Sequence, residues 1–236
     1  MSLPHTDLAT ELRERVVELR ARLDAAVGRG GHGQRATLIA VTKTHGPDAV
    51  RAAWEAGVHD VGENRVQEAL TKMAAVDVPV RWHLIGHLQR NKVRQLDPFA
   101  LVQSCDRAPL ADALHEHGVT RGRPVELLLQ VNASGEVSKG GYAPHEVIAE
   151  ADRLTTLEGV VVRGVMTMAP FDADERTLRA TFAGARAARD VLRQVGHPAA
   201  ELSMGMSGDF EVAAEEGATL IRLGTALFGE RPPRPA

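Results

Sequence analysis

The 236-residue chain has a single cysteine, Cys105, so no internal disulfide can form. That suits a reducing compartment and leads to the expectation of a cytoplasmic protein. Aromatic residues make up only 3% of the chain, leaving leucine, valine, isoleucine and alanine to fill a core. No run approaches the roughly 18 apolar residues that a membrane-spanning helix needs. The first dozen residues, Asp7 and Glu11 among them, lack the basic-then-apolar order of a secretion signal. Basic residues are not in excess either: 28 stand against 31 acidic ones, for a net charge of -3. This gives no electrostatic case for nucleic acid or an anionic membrane. No linker rich in proline, glycine or serine divides the chain, which predicts one domain over residues 1–230 and a disordered tail at 231–236.

What is present is an ordinary globular balance, with 44% hydrophobic and 25% charged residues. Leu8, Leu12, Val16, Leu19 and Leu23 recur at helical spacing and predict an amphipathic helix over about 6–27. The stretch Gly28-Arg-Gly-Gly-His-Gly33 matches the spacing of a dinucleotide-binding glycine motif. It follows a helix and precedes a strand, the reverse of the context that motif requires, and reads as a flexible connector. Strand and helix then alternate about every 25 residues. Strands are expected at 38–42, 58–61, 80–85, 100–104, 126–131, 160–166, around Leu202, and at 219–223. Helices fall between them, including one capped by Asp106 and one capped by Ser207. Several strands are continuously apolar, the mark of parallel pairing with both faces buried. Eight such units predict a (β/α)8 barrel of the TIM type, preceded by the N-terminal helix. A doubly wound open sheet is the alternative.

The stretch Leu38-Ile-Ala-Val-Thr-Lys43 carries the first chemical signal. Strand alternation puts Ile39, Val41 and Lys43 on one face, so an ammonium group follows buried aliphatics. In a barrel the working face is the C-terminal end of the strands. Polar residues gather in the segments after the strands, while the strand interiors are expected to stay aliphatic. The loops after strands seven and eight, Ser207-Gly208-Asp209 and Gly224-Thr225, offer hydroxyls and backbone amides to a phosphate. The bland alternative is that Ser207 only caps its own helix and Gly224 only turns the chain. A lysine in an apolar site can lose its proton and form a Schiff base with an aldehyde. With Lys43 across the barrel mouth from a phosphate pocket, pyridoxal phosphate supplies both partners, an aldehyde and a phosphate. Arg222 shares a face with Leu220 and could meet the pyridine nitrogen. An ion pair with Glu63 or Asp209 is its alternative role.

Five segments in order carry a resemblance: Ala40-Val-Thr-Lys43, Gly62-Glu-Asn-Arg-Val-Gln-Glu68, Trp82-His-Leu-Ile-Gly-His-Leu-Gln-Arg-Asn-Lys92, Leu202-Ser-Met-Gly-Met-Ser207 and Arg222-Leu-Gly-Thr-Ala-Leu-Phe-Gly229. Together they resemble the family of pyridoxal-phosphate homeostasis proteins, over about residues 5–230. The resemblance implies a barrel similar to the N-terminal domain of alanine racemase, with the cofactor bound through Lys43. It further implies that Ser207, Gly224 and Thr225 hold phosphate, that Arg222 faces the pyridine nitrogen, and that Asn64 lies near the ring. Two departures, His45-Gly46-Pro47 and Arg90, lie at the rim.

Two functions from different classes follow. One is a carrier that holds pyridoxal phosphate for intracellular cofactor homeostasis without turnover, with PLP-dependent apoenzymes as recipients. The other is a racemase-like enzyme acting on amino acids. Racemisation by two bases needs a second proton-transfer group, which alanine racemases take from a tyrosine on a separate domain. The single tyrosine here, Tyr142, follows strand five, and the carrier is favoured, as a monomer without catalytic residues. No metal site is expected: His83 and His87 are four apart but lack a helix and further ligands. His115 and His117 read as solvated. The basic cluster Arg90, Lys92 and Arg94 reads as a solvated face that could draw an anionic partner or a second phosphate.

Overall fold

The computed structural model describes residues 5–136 and 139–229. The expected tail at 231–236 lies outside these residues, as does Ser138. Eight strands form a closed barrel among the described residues: β1 (Thr37–Val41), β2 (Asp60–Glu63), β3 (Arg81–Leu84), β4 (Leu101–Cys105), β5 (Val125–Gln130), β6 (Val160–Met166), β7 (Glu201–Ser203) and β8 (Leu220–Leu223). Each strand pairs in parallel with the next, and β8 closes on β1 with Ile39 opposite Arg222. The expected TIM-type barrel is therefore the fold. Alternation along the strands divides the apolar residues in two. Leu38 and Ala40 join the large outer core beneath the helices, whereas Ile39, Leu101, Leu128, Met166 and Leu220 form a separate cluster inside the barrel.

The helices are α1 (His5–Gly30), α2 (Pro47–Glu55), α3 (Val66–Ala75), α4 (Ala108–Thr120), α5 (Val147–Leu154), α6 (Glu175–Gln194), α7 (Phe210–Glu215) and α8 (Thr225–Phe228). Two 3-10 helices, Arg90–Gln95 and Pro144–Glu146, complete the ring. Among the described residues no helix is long and apolar enough to cross a membrane.

Several boundaries differ from the expectation, each for a local reason. Strand β2 begins at Asp60 rather than Val58, because the Val58 amide donates to Ala53 O and closes the turn after α2. The glycines Gly28 and Gly30 belong to α1 and are not a slack connector. A Cβ on Gly30 would stand 2.3 Å from Glu215 O, so a glycine lets the end of α1 pack on α7. Arg22 and Arg29 of α1 then reach Glu211 and Glu215. Helix α4 runs through Gly118 to Thr120. A Cβ at that position would lie 1.9 Å from Gly159 O, so the glycine serves close packing and not a helix end. Asp106 caps nothing, since its carboxylate takes up Arg107 and His87.

Candidate functional site

Lys43 stands two residues beyond the end of β1, half-buried, in a turn closed by the His45 amide donating to Thr42 O at 3.0 Å. Thr44 adopts φ +70°, a left-handed conformation that costs a non-glycine residue roughly 1–2 kcal/mol. Its amide donates to Glu68 Oε1 at 2.7 Å, which holds the turn in that conformation. The His45 ring packs on Phe228 with centroids 4.9 Å apart, tying the turn to α8.

Behind the turn lies a buried ion cluster. Lys72 Nζ on α3 donates to Glu63 Oε1 at 2.6 Å, to Glu68 Oε1 at 2.8 Å and to Thr42 O at 2.8 Å. Thr42 Oγ1 donates to Glu63 Oε1 at 2.5 Å. The residues on both sides of Lys43 are thus fastened to one ammonium–dicarboxylate group. Burial pushes the Glu63 carboxyl up, against hydrogen bonds from Lys72 and Thr42. Its second oxygen is buried without a hydrogen-bond partner. For Glu68, burial is outweighed by hydrogen bonds from Lys72 and the Thr44 amide, and the carboxyl sits below its ordinary value.

Arg222 is buried at the end of β8 on the inward face, as expected from its alternation with Leu220. The alternative pairing with Glu63 fails, because Glu63 points out of the barrel to Lys72. Asp209 supplies attraction over distance and no ion pair. Burial lowers the guanidinium to about 10, leaving it charged at neutral pH. Arg222 Nη1 donates to Ser203 Oγ at 2.6 Å, and Nη2 donates to Thr167 O at 2.9 Å. Ser203 Oγ in turn donates to Gln103 Oε1 at 2.6 Å, and Gln103 Nε2 meets His83 Nδ1 at 3.0 Å. His83 Nε2 meets Asp60 Oδ1 at 2.8 Å, and Arg81 donates to Asp60 Oδ2 at 2.7 Å. The strand interiors are therefore not wholly aliphatic, contrary to expectation. A hydrogen-bonded chain crosses them, because a barrel interior can satisfy polar side chains from one strand to another.

The loops after β7 and β8 meet at one point. Gly205, at φ +92°, turns the first loop where a Cβ would lie 2.6 Å from Ala213 Cβ. Ser207 does not cap α7, which begins at Phe210 with Asp209 at the cap position. Its Oγ instead accepts the Ala226 amide of α8 at 3.0 Å, joining the two loops. The Asp209 carboxylate takes the Met206 amide at 2.6 Å. Gly224 precedes α8, and Thr225 is exposed at its start. Because β8 closes on β1, Lys43 and Gly224 lie on neighbouring strands and not across the mouth from one another. Asn64 follows β2 at the same pole. Lys43, Asn64, Ser207, Gly224 and Thr225 thus share the C-terminal end of the barrel, with Arg222 just beneath.

The other candidates take other partners. His87 is exposed and bonds Asp106, far from the inward contacts of His83, and no group of metal-ligating side chains occurs among the described residues. His115 and His117 are not merely solvated: His115 Nδ1 accepts the Gly159 amide, and His117 meets Asp97. Tyr142 is buried in the outer core, its hydroxyl donating to Glu150 at 2.7 Å. Arg90, Lys92 and Arg94 lie on the first 3-10 helix. A cleft of about 550 Å³ opens at the opposite, N-terminal pole, bordered by Arg35, Arg81, Arg163 and Glu201. None of the expected site residues lines it.

Residues Thr42, Glu63, Glu68, Lys72, Asp60, His83, Gln103 and Ser203 were not singled out from sequence as contributors to the site. A signal existed: Gln103 follows Leu101 and Val102 at an inward position of β4, and Glu68 and Lys72 are an i, i+4 pair.

Known proteins are similar to this chain in sequence and fold. The family model for the alanine racemase N-terminal domain matches residues 17–232. The pyridoxal phosphate homeostasis protein of Aquifex aeolicus is 40% identical over 222 residues, covering 92% of this chain and 97% of that protein. Its counterpart in Pseudomonas aeruginosa is 41% identical over 223 residues, covering 93% and 96%. Among solved structures, PipY of Synechococcus elongatus with PLP bound superposes with a TM-score of 0.81 at 38% identity, covering 92% of this chain and all of that one. Alanine racemase from Corynebacterium glutamicum, at 16% identity and a TM-score of 0.73, shares the fold. The chain belongs to the pyridoxal phosphate homeostasis protein family, built on the barrel of the alanine racemase N-terminal domain.

Proposed function

We propose that this protein binds pyridoxal phosphate through Lys43 and carries it for intracellular cofactor homeostasis without turnover of its own. The observation that carries the reading is a convergence at the seam of β1 and β8. A half-buried lysine, a buried guanidinium and two loops joined through Ser207 meet there within a few residues of one another. This donor set suits the cofactor. When bound, pyridoxal phosphate supplies an aldehyde, which condenses with a neutral amine with loss of water, and a phosphate that accepts hydrogen bonds. Lys43 provides the amine. The hydroxyls of Ser207 and Thr225 and the amide of Gly224 would hold the phosphate. Arg222 has donors only and would leave a ring nitrogen unprotonated. Asn64 would lie beside the ring. The PLP-bound relative PipY supports the same reading.

Support for a carrier over a racemase comes from Tyr142. Burial pushes its hydroxyl well above the ordinary tyrosine range, and its proton is engaged by Glu150 in the outer core. A second base for two-sided proton transfer is therefore not supplied by the family of groups alanine racemases use. PLP-dependent apoenzymes are the recipients in this reading, and the carrier is a cytoplasmic monomer occupying residues 1–230.

The test is spectroscopic. Purified protein mixed with pyridoxal phosphate should develop the absorbance band of a lysine-linked cofactor, and Lys43→Ala should lack it entirely. Incubation with L-alanine or L-serine should yield no D-isomer. Racemisation sustained at roughly 1 per second or faster would overturn the carrier reading.

A further inference from the structure

The hydrogen-bonded chain inside the barrel has one feature that ordinary core polar groups lack: its direction is forced from end to end. A guanidinium can only donate, so Ser203 Oγ accepts from Arg222 and must send its own hydrogen to Gln103 Oε1. That orients the Gln103 amide with its NH2 toward His83 Nδ1. Nδ1 must then present a lone pair, so the ring hydrogen sits on Nε2 and is donated to Asp60 Oδ1. Arg81 holds the other oxygen of Asp60. Asp60, His83, Gln103, Ser203 and Arg222 are all buried, so water is not a ready substitute partner. Five strands contribute, namely β2, β3, β4, β7 and β8.

We infer that Ser203, Gln103, His83 and Asp60 are positioning residues for Arg222, a relay that sets the plane of its guanidinium toward the cofactor ring from the far pole of the barrel. The inference rests on the proposed cofactor site and deepens it. Two of the guanidinium's edges are pinned, one by Ser203 and one by Thr167 O, which fixes the direction of the remaining N–H groups. No carboxylate lies within ion-pair distance of Arg222 among the described residues. Neutral hydrogen bonds therefore do the orienting, and each depends on the next. Loss of the Ser203 bond leaves the guanidinium held by Thr167 O and by the more distant attraction of Asp209, and its plane is less closely fixed.

The relay makes a prediction that a packing role would not. In the apo protein labelled with 15N-histidine, His83 should show the Nε2–H form with an unprotonated Nδ1. Gln103→Glu keeps an acceptor for Ser203 but turns the other oxygen to Nδ1, and should place a hydrogen there. On the cofactor side, Ser203→Ala should weaken binding of both pyridoxal phosphate and pyridoxal by about tenfold, the order expected when a hydrogen bond to a charged group is lost. The absorbance maximum of the bound cofactor should shift as well. Ser203→Thr, which retains the hydroxyl, should restore the wild-type spectrum.

A wild-type His83 carrying its hydrogen on Nδ1 would overturn the relay, and that measurement needs no variant to fold. A Ser203→Ala protein with unchanged spectrum and affinity would overturn the positioning role. Failure of the cofactor site itself is read separately, from a band that survives in Lys43→Ala, and leaves the His83 result standing.

Discussion

Two polar networks serve the same end of this barrel, and they are built on opposite plans. The outer one, between β1, β2 and α3, is compact and charged, with Lys72 at the centre of two carboxylates and a carbonyl. The inner one is extended and mostly neutral, running through a histidine, an amide and a hydroxyl before it reaches a charge at Arg222. The outer cluster grips backbone: it touches Thr42 O and, through Glu68, the Thr44 amide. It therefore sets where the Lys43 turn lies. The inner chain grips a side chain and sets only how it is aimed. A dense ion cluster is a strong anchor but has no direction. A hydrogen-bonded chain is weaker at each link, yet its donors and acceptors leave a single orientation.

This contrast can be broken first at Lys72. Lys72→Met strips the cation from two carboxylates, one of them fully buried, and should cost about 3–5 kcal/mol in urea unfolding, the usual penalty for breaking a buried pair on one side. Adding Glu63→Leu should recover much of that loss. A Lys72→Met protein as stable as wild type would mean that the cluster is not an anchor.

Acid separates Asp60 of the inner network from Glu63 of the outer one by sign. For Asp60, burial favours the neutral form but the hydrogen bonds from His83 and Arg81 outweigh it, so the folded-state value is depressed. Its contribution to stability is full above the ordinary aspartate value, about 3.9, and is lost as pH falls through the folded one. For Glu63 the folded-state value is raised, so its contribution runs the other way and partly offsets the acid loss. Thermal melts from pH 7 to pH 3 should accordingly show a flatter decline for Asp60→Asn and a steeper one for Glu63→Gln. Identical slopes for both variants would erase the distinction.

The smallest effect is expected at Thr44. Thr44→Gly relieves left-handed strain but adds chain entropy to the unfolded state, so stability should change by less than about 1 kcal/mol. Affinity for pyridoxal phosphate should nevertheless fall, because the turn that presents Lys43 loosens. Titration and melting of the same sample read both quantities. A large loss of stability with unchanged affinity would show that the turn is structural only.

Much of the architecture was legible before the structure. The apolar strand runs announced parallel pairing, and alternation grouped Arg222 with Leu220 on one face, which the structure turns into the barrel together with Ile39. Boundaries were less legible at glycines. Gly30 and Gly118 are in helices because another backbone comes within contact of the missing Cβ, and no local pattern reveals such an approach. Ser207 was misread for a similar reason. Its hydroxyl looked available to its own helix, and its partner proved to be Ala226, 19 residues on.

What the sequence determined by itself was the periodicity: apolar runs about 25 residues apart that call for parallel strands buried on both faces, and a lysine set at the end of the first. Those are local properties, written in spacing and side-chain type. What only the tertiary structure decided was which polar groups find one another. The barrel closes β8 on β1 and so brings Arg222 beside the strand of Lys43. It also lets Asp60, His83, Gln103 and Ser203, spread over 144 positions of chain, complete one another's hydrogen bonds. Each alone would be a costly group to bury, and only the closed barrel supplies its partner.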